Sequence, residues 1–178
     1  MFRTHLNKIV QGNDLTDEEM SEMLLEIFSG KITDAQVGAF MAALATKGET
    51  FLELSGAARA MRRKAHRIQT SATTVVDTCG TGGDGAKTFN ISTTTAFVVA
   101  GCGLTVAKHG NRSVSSQCGS ADLLEKLGVK LDTAPEIVEE AVQEIGIGFL
   151  FAPLYHGAMR CAAKARMEVG LRSIFNML

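Results

Sequence analysis

The stretch Val75-Val76-Asp77-Thr78-Cys79-Gly80-Thr81-Gly82-Gly83-Asp84-Gly85-Ala86-Lys87-Thr88-Phe89-Asn90-Ile91-Ser92-Thr93 decides the fold of this 178-residue chain. Two β-branched residues enter a strand, a run of glycines turns the backbone, and Asn90 to Thr93 opens an apolar helix, for which Ser92 is the expected cap. The same grammar recurs downstream. Leu104 to Ala107 reads as a second strand running into Lys108-His109-Gly110-Asn111-Arg112. Ser120 is expected to cap a helix through Leu127, stopped by Gly128. Thr133-Ala134-Pro135 starts another helix, with proline where its missing N–H costs nothing. Ile147 to Phe151 reads as a third buried strand, followed by a helix from about Gly157 to Val169. Short apolar strands alternating with helices predict right-handed βαβ units and a parallel sheet.

Upstream of residue 70 the period is helical throughout. Thr16-Asp-Glu-Glu19, Thr33-Asp-Ala-Gln36 and Thr50-Phe-Leu-Glu53 are capping boxes, and the sequence reads as four helices. Gly30 and Gly48 are placed to end the first two of these capped helices. Met20, Met23, Leu24 and Ile27, then Val37, Phe40, Met41 and Leu44, recur at helical spacing and form the candidate core. Part of that apolar surface is a candidate subunit interface. The basic run Arg59 to Arg67 is read as a solvated helix terminus. The expected fold class is therefore α/β with an N-terminal all-helical domain, residues 1–70, and a parallel-sheet α/β domain, residues 71–178.

Composition narrows the function. Eighteen Lys and Arg against nineteen Asp and Glu leave a net charge of −1, and aromatics make up 6%, so a nucleic-acid partner is not expected. The longest uncharged run, Thr88 to Ala107, is too polar for a membrane span, and no apolar leader follows Met1. Cys79, Cys102, Cys118 and Cys161 are scattered without metal-binding spacing, which predicts a reduced, cytoplasmic protein.

The glycine-rich loop points to phosphate. Gly80, Gly82 and Gly85 formally satisfy a dinucleotide fingerprint, but the next strand ends in Lys108-His109 rather than in an acidic residue for a ribose. The Walker A pattern fails because Ala86, not lysine, follows the second glycine. What remains is a cradle of backbone N–H groups at a helix start. Around it stand the hydroxyls of Thr88, Ser92, Thr93 and Thr94, the cations Lys108 and Arg112, and Ser113, Ser115 and Ser116. Loops at adjacent strand ends of a doubly wound sheet converge, so both segments should face one ligand. Asp84 among these donors calls for magnesium or a sugar hydroxyl.

Gly80-Thr-Gly-Gly-Asp84, Thr88 to Thr93, Lys108 to Ser116 and Gly119-Ser-Ala-Asp122 together resemble anthranilate phosphoribosyltransferase. So do Phe151-Ala-Pro153, His156, Ala158-Met159, Arg166 and Ile174-Phe-Asn176, so the resemblance covers essentially the whole chain. It implies transfer of the 5-phosphoribosyl group from 5-phosphoribosyl 1-diphosphate (PRPP) to the amine of anthranilate, in tryptophan biosynthesis. Mg²⁺ is the implied cofactor, a homodimer through the helical domain the implied assembly, and an anthranilate synthase component a candidate partner. The resemblance assigns Gly80, Gly83, Asp84, Thr88, Asn90, Ile91, Ser92 and Thr93 to PRPP, with Ser92 also touching the metal. It assigns Lys108, His109, Gly110, Asn111, Arg112, Ser113, Val114, Ser115, Ser116 and Ser120 to the same ligand, with Lys108 and Arg112 supporting the transition state. Gly80, His109, Asn111, His156 and Arg166 would meet anthranilate, Arg166 through the carboxylate.

Two departures from the family pattern stand out. Gly157 replaces the proline of a His-Pro-Ala-Met motif, which predicts a looser acceptor-side loop. Family members also run to about twice this length, so the chain is expected to be a fragment or truncated product. It would lack further strands and an Asp-Glu pair that ligates magnesium. Two other readings compete: a non-catalytic phosphate-binding fragment, and a pyrimidine nucleoside phosphorylase-like enzyme.

Overall fold

A computed structural model of the chain describes residues 1–80, 89–113 and 118–178. It divides into two compact units, residues 1–65 with 156–178 and residues 66–155.

The first unit is helical: α1 (Phe2–Val10), α2 (Asp17–Phe28), α3 (Asp34–Lys47) and α4 (Phe51–Lys64). All three capping boxes form, with Thr16, Thr33 and Thr50 each accepting from the backbone N–H three residues on. Gly30 and Gly48 end α2 and α3 at φ of 74° and 88°. The core is the expected stripe: Met20, Met23, Leu24, Ile27, Val37, Phe40, Met41 and Leu44 are all buried. Gly56 explains how closely α4 lies against α2, because a Cβ there would sit 2.2 Å from the Asp17 carbonyl oxygen. Gly56→Ala is expected to destabilise the unit by about 1–3 kcal/mol despite alanine's better helix propensity. Urea denaturation reads this directly, and an unchanged midpoint would refute the close approach.

The second unit contains β1 (Val75–Val76), α5 (Ile91–Gly101), β2 (Thr105–Gly110), α6 (Ser120–Lys126), α7 (Pro135–Glu144), β3 (Ile147–Phe151) and the short α8 (Ala152–Tyr155). The three strands are parallel in the order β1-β2-β3, with Val76 opposite Val106 and Lys108 opposite Phe149. Strand β2 is thus central, and its C-terminal end carries the Lys108-His109-Gly110 sequence. Two expected caps are corrected. Asn90, not Ser92, caps α5, because its short amide reaches the Thr93 N–H. Gly119, not Ser120, precedes α6, and its N–H is satisfied from within the helix by Asp122. The buried cluster of this unit is small, Ala121, Leu124 and Leu131 with Phe149 and Phe151 against it. Phe89, Phe97, Val98 and Ile137 remain exposed, which fits an α/β domain present in part.

The compact units differ from the expected division at residue 70. Residues 156–178 fold with the helices, not with the sheet. They comprise a 3₁₀ turn at Gly157–Met159, α9 (Arg160–Val169) and a second 3₁₀ turn at Ile174–Asn176. The reason is burial: Ala162, Ala165, Ile174 and Phe175 join the helical core, and Phe175 meets the Phe40 ring edge-on at 6.3 Å. Hydrophobic surface of this kind goes where a partner face exists. Among the described residues, no helix is long and apolar enough to cross a membrane.

Candidate functional site

The C-terminal ends of β1 and β2 are tied together by side chains. Beyond β1, the Asp77 carboxylate accepts from the His109 N–H at 3.1 Å. The Thr78 hydroxyl donates to the Ser92 carbonyl at 2.8 Å, fastening the strand end to the first turn of α5. Lys108 is buried, 3% exposed, and its ammonium donates to the Thr78 carbonyl and, at 3.4 Å, to Ser92 Oγ. Ser92 Oγ donates in turn to Asn90 Oδ1 at 3.2 Å, and Asn90 Nδ2 donates to the Cys118 carbonyl at 3.4 Å. One polar chain therefore runs from the segment after β1, across the N-terminus of α5, to the segment after β2.

Electrostatics suit an anion here. The positive end of α5 and the Lys108 ammonium lie side by side. Burial pushes the Lys108 pKa below its ordinary value, against the opposing pull of Asp77 and Cys79. The hydroxyl of Thr93 is buried without a hydrogen-bond partner among the described residues.

The structure brings Asn90, Ile91, Ser92, Thr93, Lys108, His109 and Gly110 to this end of the sheet, with Asn111, Arg112, Ser113 and Ser120 continuing from β2 into α6. Gly80 lies exposed just beyond β1. Gly83, Asp84, Thr88, Val114, Ser115 and Ser116 fall outside the described residues. Arg166 and His156 belong to the helical unit. There the Arg166 guanidinium stacks over the Phe175 ring, 5.7 Å from its centroid, and burial lowers its pKa. His156 leads into the 3₁₀ turn, its carbonyl accepting from the Met159 N–H at 2.9 Å. Gly157 is not among the glycines with positive φ, and a Cβ there would meet nothing within 4 Å.

Arg112, read from the sequence as a phosphate cation, is paired with two acids in this structure. Its guanidinium forks onto Glu125 at 2.7 and 2.8 Å and reaches Asp122 at 3.3 Å. The hydrogen bonds to Glu125 raise its pKa further, while Arg112 holds the Glu125 carboxyl below its usual range. Sequence reasoning gave neither acid a role; their spacing on one face of the next helix was the available signal.

The described residues do not fit a magnesium site. No group of three or more His, Cys, Asp or Glu converges among them, and Ser92 Oγ lies beside an ammonium, which repels a cation.

Comparison with known proteins divides the chain near residue 70, as the sequence does, and places residues 156–178 with the a/b domain. Residues 3–65 match the family described as glycosyl transferase family, helical bundle domain, and residues 72–178 the glycosyl transferase family, a/b domain. The chain is 72% identical over its whole length to the anthranilate phosphoribosyltransferase of Desulfosudis oleivorans, of which it covers 52%. It is 71% identical to that of Desulfatibacillum aliphaticivorans, covering 53%. Among solved structures, anthranilate phosphoribosyltransferase from Thermus thermophilus aligns with a TM-score of 0.89 at 44% identity, over 97% of this chain and 52% of that one. The Saccharomyces cerevisiae enzyme in complex with PRPP and Mg aligns with a TM-score of 0.88 at 27% identity, over 98% and 53%. The chain spans about half the length of the curated relatives it matches.

Proposed function

This chain belongs to the glycosyl transferase family with paired helical-bundle and a/b domains, and from that premise we propose that it serves phosphoribosyl transfer from PRPP to anthranilate. The observation that carries the reading is the polar chain from Thr78 through Lys108, Ser92 and Asn90 to Cys118. It joins two donor-rich segments beside a helix N-terminus, the arrangement a diphosphate needs. The similarity to anthranilate phosphoribosyltransferases along the whole chain supports the choice of substrates.

In this reading the anthranilate nitrogen attacks the anomeric carbon of the ribose. The new bond is C–N, the bond broken is that between the anomeric carbon and the diphosphate oxygen, and the amine proton leaves to solvent. The buried ammonium of Lys108 and the backbone donors stabilise charge growing on the departing pyrophosphate. Positioning supplies the rest of the acceleration. The described residues do not form a magnesium site, so among them the diphosphate charge is met by Lys108 and the backbone donors. Arg166 is the acceptor-side cation of this reading, and a homodimer through the helical unit, an anthranilate synthase component and a cytoplasmic location accompany it.

The decisive experiment supplies the purified chain with PRPP, Mg²⁺ and anthranilate and measures N-(5-phosphoribosyl)anthranilate. Formation is the expected result. Pyrophosphate binding without turnover selects a binding fragment. Absence of both overturns the phosphate reading altogether. Arg166→Ala is expected to weaken the apparent affinity for anthranilate about tenfold, the value of a charge-assisted hydrogen bond. Unchanged affinity removes Arg166 from the acceptor site.

A further inference from the structure

We propose that Asp122 is a positioning residue for diphosphate binding, holding both ends of the polypeptide that follows β2 on a single carboxylate. This rests on the diphosphate reading above and adds a residue to which that reading gives no role.

The carboxylate does three things at once. Its Oδ2 accepts from the Ser113 N–H at 2.9 Å and from the Gly119 N–H at 2.9 Å. Its Oδ1 faces Arg112 Nη1 at 3.3 Å. Two backbone donors six positions apart thus meet one oxygen. The Ala121 N–H adds a bond to the Asn111 carbonyl at 3.2 Å from the same turn of helix. Packing agrees with the hydrogen bonds. A Cβ on Gly119 would lie 2.4 Å from Ser113 N and 2.7 Å from the Asn111 carbonyl oxygen, so only glycine permits this approach.

The consequence is positional. With their N–H groups occupied by Asp122, Ser113 and Gly119 are held against the first turn of α6. Cys118, next to Gly119, accepts through its carbonyl from Asn90 Nδ2 at 3.4 Å, which connects the start of α6 to the polar chain at Lys108. The bonds from Ser113 and Gly119, then Arg112, lower the pKa of the Asp122 carboxyl from its ordinary value, so the staple persists at neutral pH.

Two substitutions separate this role from a general contribution to folding. In Asp122→Asn the remaining carbonyl oxygen can still accept both backbone N–H groups, whereas Asp122→Ala removes the acceptor entirely. Calorimetry with pyrophosphate and Mg²⁺ should show about a tenfold or greater loss of affinity for D122A and a change within about threefold for D122N. Hydrogen exchange at the Ser113 and Gly119 amides should accelerate in D122A alone, while both variants unfold at similar temperatures. Parent-like affinity in D122A overturns the proposal, and so does an equal loss in D122N, which would assign the effect to charge. A parent chain that binds no pyrophosphate fails the diphosphate reading itself, and the positioning role falls with it even where exchange reveals the staple.

Discussion

Lys108→Met is expected to lower the affinity for pyrophosphate roughly 10²-fold while leaving the melting temperature unchanged or raised. The two outcomes separate because the ammonium is bound for a purpose other than stability. It is buried, 3% exposed, and its partners are one carbonyl and one hydroxyl, with no carboxylate in hydrogen-bond contact among the described residues. Burial therefore costs the charged form more than these partners return, and the pKa is depressed. Methionine keeps the stem and removes the charge. Equal loss of stability and binding would make Lys108 a structural residue. The pH dependence carries the same signature with opposite signs. Between the depressed pKa and the ordinary value near 10.5, the unfolded chain binds the proton that the folded chain has released, so this group's contribution to stability rises with pH. Across the same window the ammonium is lost, and pyrophosphate affinity should fall. Affinity that stays flat there would exclude Lys108 from the anion site.

Glu53→Ala is expected to destabilise the helical unit by about 3–5 kcal/mol, the cost of breaking a buried charged network. Glu53 is fully buried. Its Oε1 accepts from the Leu15 N–H at 3.0 Å, and its Oε2 from the Thr50 N–H at 2.8 Å and from Lys47 Nζ at 3.0 Å. Lys47 is also held by Asp14 at 2.7 Å. Burial works against the Lys47 ammonium, and the bonds to Asp14 and Glu53 outweigh it, keeping its pKa above the ordinary value. Alanine leaves two backbone donors without their acceptor beside a half-satisfied cation. Glutamine is no remedy, since it places an amide donor against Thr50 and Lys47. Chemical denaturation decides the matter, and a loss below about 1 kcal/mol would mean that water enters and replaces the carboxylate.

The same residue shows how far sequence carries. Thr50-Phe-Leu-Glu53 is legible as a capping box because both hydrogen bonds fall within one helical turn. That Glu53 also holds Leu15, thirty-eight positions earlier, has no local signal. The candidate site divides in the same way. The strand ends, the helix start at Asn90 and the lysine at the end of β2 follow from glycine, capping and alternation patterns. The capture of Arg112 by Glu125 does not, because a long flexible cation takes whichever acid space offers. Asp122 is visible as part of Gly119-Ser-Ala-Asp122, but its staple joins two amides six positions apart that no local pattern in the sequence pairs.

The residue order alone determined the helical beginning, the three parallel strands and the kinship with phosphoribosyl-transferring enzymes. These depend on contacts a few positions apart or on long matching motifs. Tertiary structure decided that residues 156–178 leave the sheet and fold with the first helices. It also decided that Lys108 is buried against Thr78 and Ser92, and that one carboxylate fixes both ends of the polypeptide after β2. The physical reason is common to all three. Burial and desolvation are settled by which surfaces meet in space, and a buried polar group takes its partner from whatever those surfaces place within about 3 Å.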